Sequence, residues 1–222
     1  MGCAELPTIR NPFDGPPPAY KSQYGPTPAE RVERLQQLDQ TAATLSADQQ
    51  ATACTELTAN FDSERDPIIR RQIVQTLGAF SNPAAVPVLV RATEDSDYRI
   101  RQAACVAWGR RPGPQALSVL SAMFANDSND NVRLEACRAI GRFNSLDAIQ
   151  QLANGLNDRN PAIQYASIQS LKQSTGQELG NNVNTWVEYV AGLSSPAATP
   201  ANVNSDPMMI ASPPEGLTGS MT

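Results

Sequence analysis

The 222-residue chain contains no histidine. It therefore lacks the commonest general base and metal ligand, and holds neither a Ser-His-Asp nor a Cys-His site. Basic residues are also few: 17 Lys and Arg against 22 Asp and Glu leave a net charge of −5, with no basic run. Sequence-independent nucleic-acid binding rests on neutralising phosphates, so nucleic acid is not expected as a partner. No stretch approaches the roughly 18 consecutive apolar residues of a membrane span. Cys54, Cys105 and Cys137 stand at separations unlike any C-x-x-C metal or redox spacing. No catalytic, cofactor-binding or metal-ligating residue is assigned, and the expectation is a chain that is not an enzyme.

What the sequence does contain is repetition. "DSDYRIRQAACVAWG" begins at Asp95 and "DSNDNVRLEACRAIG" at Asp127, with weaker copies from Glu64 to Gly78 and from Asp158 to Lys172. Arg70, Arg101, Arg133 and Gln164 share one column, which gives periods of 31, 32 and 31 residues. Self-similarity at this length marks a helical repeat array. Relative to that column, Ile69, Ile100, Val132 and Ile163 lie one residue before. Ile73, Ala104, Ala136 and Ser167 lie three after, Val74, Cys105, Cys137 and Ile168 four after, and Leu77, Trp108, Ile140 and Leu171 seven after. This is the apolar face of an α-helix, and it makes Cys105 and Cys137 small core residues.

Asp66, Asp97, Asn129 and Asn160 suit the cap of that helix, Pro67 and Pro161 its first position, and Gly78, Gly109 and Gly141 a left-handed stop. A second set of helices is predicted from Asn82, from about Gly113 and from Ser145, carrying Val86 and Leu89, Leu117 and Leu120, and Ile149 and Leu152. Neither helix buries its face alone, so the pairs stack. The predicted fold is all-α: a right-handed α-solenoid of helix pairs.

The pattern of an acidic residue, V/I-R, a central Ala and a terminal A/L-G resembles the short HEAT-like repeats first associated with phycobilisome lyases and common in bacterial proteins. The resemblance covers roughly residues 64–176. It implies that the acidic cap and the arginine pair between units, so Asp66, Asp97, Arg70, Arg101 and Arg133 read as a structural ladder. The family spans bilin lyases, iron hydroxylases, nucleic-acid enzymes and plain interaction scaffolds, so it names no single activity. The His-Glu metal pairs of the deoxyhypusine hydroxylases have no counterpart here.

Around the full repeats, "TPAERVERLQQL" and "SADQQATACTEL" carry capping boxes at Thr27/Glu30 and Ser46/Gln49, which predicts N-terminal helices within residues 27–62. Val183, Trp186, Val187 and Val190 mark a closing helix at 183–192, completing a repeat domain over 27–192. Residues 1–26 are proline-rich and residues 193–222 are rich in Ser, Ala, Pro, Asn and Thr, so both are expected to be disordered tails. The apolar spot Met208, Met209 and Ile210 reads as chance composition in preference to a docking motif. Cys3, in "MGCAELP", resembles the cleavage end of a bacterial lipoprotein signal, in which the cysteine is lipidated. Two readings stand: a lipoprotein of the cell envelope, its only membrane contact through that anchor, or a cytoplasmic protein.

From these features the expected function is a non-catalytic scaffold or adaptor for protein–protein interaction. The alternative is a bilin-lyase-like enzyme or chaperone subunit acting on a tetrapyrrole-carrying protein. Positions one, five and nine after the Arg column point away from the packed face. There Arg110, Arg138 and Arg142 gather around Val106, Leu134 and Tyr165, a basic and partly apolar spot on the expected concave face, suited to an acidic or mixed peptide or loop.

Overall fold

The computed structural model describes residues 25–111 and 113–193, and every regular element among them is helical. Ten α-helices follow in order: α1 (Pro28–Thr41), α2 (Ala47–Ser63), α3 (Pro67–Leu77), α4 (Val86–Thr93), α5 (Tyr98–Gly109), α6 (Pro114–Asn126), α7 (Asp130–Ile140), α8 (Leu146–Asn154), α9 (Pro161–Thr175) and α10 (Val183–Leu193). The odd-numbered helices α1 to α9 stack side by side in one layer. The even-numbered ones pair with them, α2 with α3, α4 with α5, α6 with α7 and α8 with α9, while α10 closes on α8 and α9. The fold is an all-α solenoid of helix pairs.

The predicted ends hold up locally. Asp66, Asp97, Asn129 and Asn160 each accept a hydrogen bond from the backbone N–H two residues on, and Pro67 and Pro161 open their helices. Thr27/Glu30 and Ser46/Gln49 form reciprocal capping boxes. All sixteen residues of the four columns are buried, and all but Ser167 belong to one continuous apolar core. Leu89, Leu120 and Leu152 of the even-numbered helices are fully enclosed beside them, with Val86 and Leu117 half-buried. In α10 the buried line is Trp186 and Val190. Val187, expected on the same face, is 39% exposed because the helix rests on its neighbours along a narrower stripe.

The repeat glycines do something other than terminate helices. Gly78 and Gly141 keep right-handed backbones (φ −64° and −58°), and Gly109 lies inside α5. A β-carbon on Gly78 would stand 2.6 Å from the Ala107 Cα, one on Gly109 2.9 Å from the Ala139 Cβ, and one on Gly141 2.8 Å from the Ser170 Cβ. Each glycine of one unit thus faces the small residue of the next, and this row lets neighbouring odd-numbered helices come backbone to backbone. Among the described residues, Gly176, at φ 69°, does end its helix in the left-handed region.

The ion-pair ladder exists with a different acidic partner. Arg70 bonds Asp95 at 2.6 Å, Arg101 grips Asp127 through both Nε and Nη2 at 2.8 and 2.9 Å, and Arg133 pairs with Asp158. In every case the partner is the acid two residues before the helix cap. The caps Asp66 and Asp97 are occupied by their own helix N-termini. The ladder acids also accept the backbone N–H of the cap residue, at 2.8–2.9 Å, so each fixes a turn and joins two units at once. Arg31 of α1 pairs with Glu64 in the same way, which makes α1 a lone odd-type helix at the head of the array. Gln164 keeps only the local half of the contact, donating to the Asp158 carbonyl at 2.8 Å as Arg101 does to that of Asp95 at 2.9 Å.

The ladder sets the acid limit of the fold. Burial alone would raise the Asp127 carboxyl, but the bonds from Arg101 and the Asn129 N–H outweigh it and hold the group below its usual range. The Asp66 N–H and Arg31 do the same for Glu64 against its desolvation. Carboxyls depressed in the folded state stabilise it fully above their unfolded values, roughly 3.9 for Asp and 4.3 for Glu, and that contribution is lost as pH falls through the lower folded ones. Melting temperature should therefore drop steeply only below about pH 4. Asp127→Asn should cost about 2 kcal/mol at pH 7, less than the loss of a fully buried partner because the amide still accepts hydrogen bonds, and should flatten the acid slope. Thermal melts between pH 2.5 and 7 check both; an unaltered slope in the variant removes Asp127 from the ladder.

Candidate functional site

The outward face of the odd-numbered helices carries the residues that the sequence singled out, and they are not equivalent. Tyr165 is 57% exposed and the Arg138 side chain 58%. Arg142 is exposed as well, and Arg138 has only a loose neighbour in Glu135 at 3.7 Å. Val106 is half-buried, and Leu134 leans against the core. Arg110 is already engaged: its Nη1 bonds Asp39 of α1 at 2.7 Å and reaches the Gln75 carbonyl at 3.5 Å. Of the three arginines, Arg138 and Arg142 are thus exposed on this face, as Tyr165 is, while Arg110 serves as a cross-brace.

That brace skips a unit. Packed helices lie roughly 8–10 Å apart, so this pair joins α5 to α1 across α3 through the length of the Arg110 side chain.

Next to Arg110 lies a cleft of about 410 Å³ that the sequence reading missed. It opens where α3 and α5 end and α6 begins. Val86, Ala79 and Pro114 give it an apolar wall, Arg110 and Arg111 its cationic rim, and Gln115 its far side. Arg111 donates to the carbonyls of Phe80, Ser81 (3.5 Å) and Asn82 (3.2 Å). No carboxylate among the described residues pairs with it, and burial pulls its pKa below the usual arginine value. The Arg110-Arg111 step directly after Gly109 was the available signal; a reading by helix columns took Arg110 and stopped one residue short of Arg111. A second cleft of about 410 Å³, between α1, α2 and α3, is lined by Leu35, Leu38, Leu57 and Ile73 with Arg34 and Glu56.

The three thiols of the described residues are core groups. Cys54, Cys105 and Cys137 are buried and unpaired, and burial pushes each pKa up, most strongly for Cys105. They remain protonated at neutral pH and are poor nucleophiles. Among the described residues, no group of three His, Cys, Asp or Glu side chains is placed to hold a metal ion, and no helix is long and apolar enough to cross a membrane. Trp186 is enclosed, donating from Nε1 to the Gly180 carbonyl at 3.0 Å, and meets Tyr189 edge to face. Cys3, both tails and the Met208–Ile210 spot lie outside the described residues.

Comparison with known proteins bears on both fold and function. The chain is 27% identical over 118 residues to the phycocyanobilin lyase subunit alpha of Picosynechococcus sp. (strain ATCC 27264 / PCC 7002 / PR-6), a match covering 48% of this chain and 44% of that protein. The chain thus spans less than half the length of this curated relative. Among solved structures, the complex of CpcE and CpcF of phycocyanin lyase from Nostoc sp. PCC7120 superposes with a TM-score of 0.49 at 19% identity, covering 86% of this chain and 80% of that one. The likeness to a lyase subunit overturns the expectation of a non-catalytic scaffold and, with it, that of a chain that is not an enzyme. Those expectations rested on the missing histidine and on buried thiols, which exclude particular site chemistries rather than activity as such. The family of HEAT repeats matches residues 54–133 and 123–181, more than half of the sequence, and the chain belongs to it.

Proposed function

We propose that the chain is a bilin-lyase-like subunit acting on a tetrapyrrole and the protein that carries it. The observation that carries this reading is the likeness, over 118 residues, to a protein whose name is that of a phycocyanobilin lyase subunit. The geometry is compatible with a division of labour. The enclosed thiols leave nucleophilic work to another component, while the outward face of the odd-numbered helices, the inner face of the array in this reading, and a cleft beside it offer surfaces that hold and orient. The protein partner docks on the inner face, where Tyr165 presents an aromatic anchor and Arg138 and Arg142 attract an acidic or mixed loop.

Purified full-length chain mixed with phycocyanobilin should give a saturable change in the visible absorption band. A spectrum unchanged at tenfold excess of the chain, with or without an apo-phycobiliprotein subunit present, sinks the reading. The double variant Arg138→Glu/Tyr165→Ala should lose at least tenfold in affinity for that apo-subunit while its helical circular dichroism and melting temperature stay unchanged. Unaltered affinity moves the docking surface off this face.

A further inference from the structure

We propose that the cleft between the ends of α3 and α5 and the start of α6 seats the carboxylate-bearing part of the tetrapyrrole, an assignment that rests on the bilin-lyase reading above. Its volume of about 410 Å³ falls within the range of small-molecule sites, roughly 300–1,000 Å³. An open-chain tetrapyrrole is an extended, flat, apolar body with two propionates, and the cleft offers matching chemistry. The wall of Val86, Ala79 and Pro114 suits the pyrrole faces, and the guanidinium groups of Arg110 and Arg111 suit the carboxylates.

The electrostatics of Arg111 carry the argument furthest. A half-buried cation that faces only the carbonyl dipoles of residues 80–82 has lost part of its hydration without gaining a counter-charge. A bound carboxylate supplies that charge. Arg111 uses Nη1 and Nη2 on the carbonyls and Arg110 uses only Nη1 on protein groups, so each guanidinium retains donors. The opening turn of α6, capped by Gly113 with no side-chain bond, adds a smaller positive potential from across the cleft. Arg110 belongs to both the cleft and the inner face, which places the pigment next to the surface on which the protein partner docks.

The test compares phycocyanobilin with its dimethyl ester, titrated by visible absorption and induced circular dichroism against the full-length chain and two variants. Gln115→Glu puts a negative charge at an exposed position on the rim, where a helix N-terminus tolerates it, and Ala79→Phe fills the cleft without changing charge. The ester should bind at least tenfold more weakly than the free acid. Each variant should lose at least fivefold in affinity for the free acid, and Gln115→Glu should do so with an unchanged melting temperature. Binding of the free acid within twofold of wild type in Gln115→Glu, or equal binding of acid and ester, overturns the cleft as the seat while leaving the bilin-lyase reading intact. No binding of phycocyanobilin by the wild-type chain, alone or with an apo-subunit, removes both.

Discussion

Trp108→Ala should lower the stability of the array by about 3–5 kcal/mol, the cost of truncating a fully enclosed large aromatic. The indole is 1% exposed, sits at the terminal core position of α5, and donates from Nε1 to the Leu89 carbonyl of α4 at 3.4 Å. It therefore joins the two helices of the central pair, and its removal leaves a cavity and takes away that hydrogen bond. For a domain of this size that loss amounts to a fall of about 10 °C in melting temperature. In a solenoid the stability of each unit depends on its neighbours, so the loss should spread. Hydrogen exchange should show protection falling in α3 and α7 as well as in α4 and α5. A melt within 2 °C of wild type would refute the core role of Trp108.

Gly78→Ala should also destabilise, by about 2–3 kcal/mol, although alanine is the better helix former by about 1 kcal/mol. The added β-carbon would meet the Ala107 Cα at 2.6 Å and its Cβ at 2.7 Å, and backbone atoms cannot rotate aside as a long side chain can. The two helices must separate, breaking contacts along their whole length. Gly192→Ala supplies the contrast. Nothing lies within 4 Å of the new methyl inside α10, so the same change should be neutral or stabilising by up to about 1 kcal/mol. Chemical denaturation of the two variants measures the difference. If Gly78→Ala is as benign as Gly192→Ala, α3 and α5 are not packed backbone to backbone.

The failure of the scaffold expectation has a physical origin. Enzymes are usually recognised in sequence by reactive side chains, and this chain lacks the most legible of them, histidine. A protein that works by seating one molecule against another needs only shape, apolar walls and a few cations. Val86, Ala79 and the adjacent Arg110 and Arg111 supply these from ordinary-looking repeat positions. Arg138, Arg142 and Tyr165 were readable as outward-facing because a helix has a fixed angular step. The bond from Arg110 to Asp39 was not readable, since the two are 71 residues apart and meet only through the stacking of α1, α3 and α5.

The sequence by itself determined that the chain is a helical array, where most helices begin, and which residues face the core. These follow from short-range rules, a 3.6-residue turn and N-terminal caps that bond two or three residues away. Tertiary structure decided the rest: that Gly78, Gly109 and Gly141 are contact points rather than stops, that the arginines reach Asp95, Asp127 and Asp158 rather than the caps, and that loops of successive units enclose a cleft. A glycine in the repeat suits a left-handed turn and a close crossing equally well, and an arginine such as Arg70 has both a cap and the acid two residues before it in the next unit. Only the distance between stacked helices chooses between those alternatives, and no residue taken within its own repeat encodes that distance.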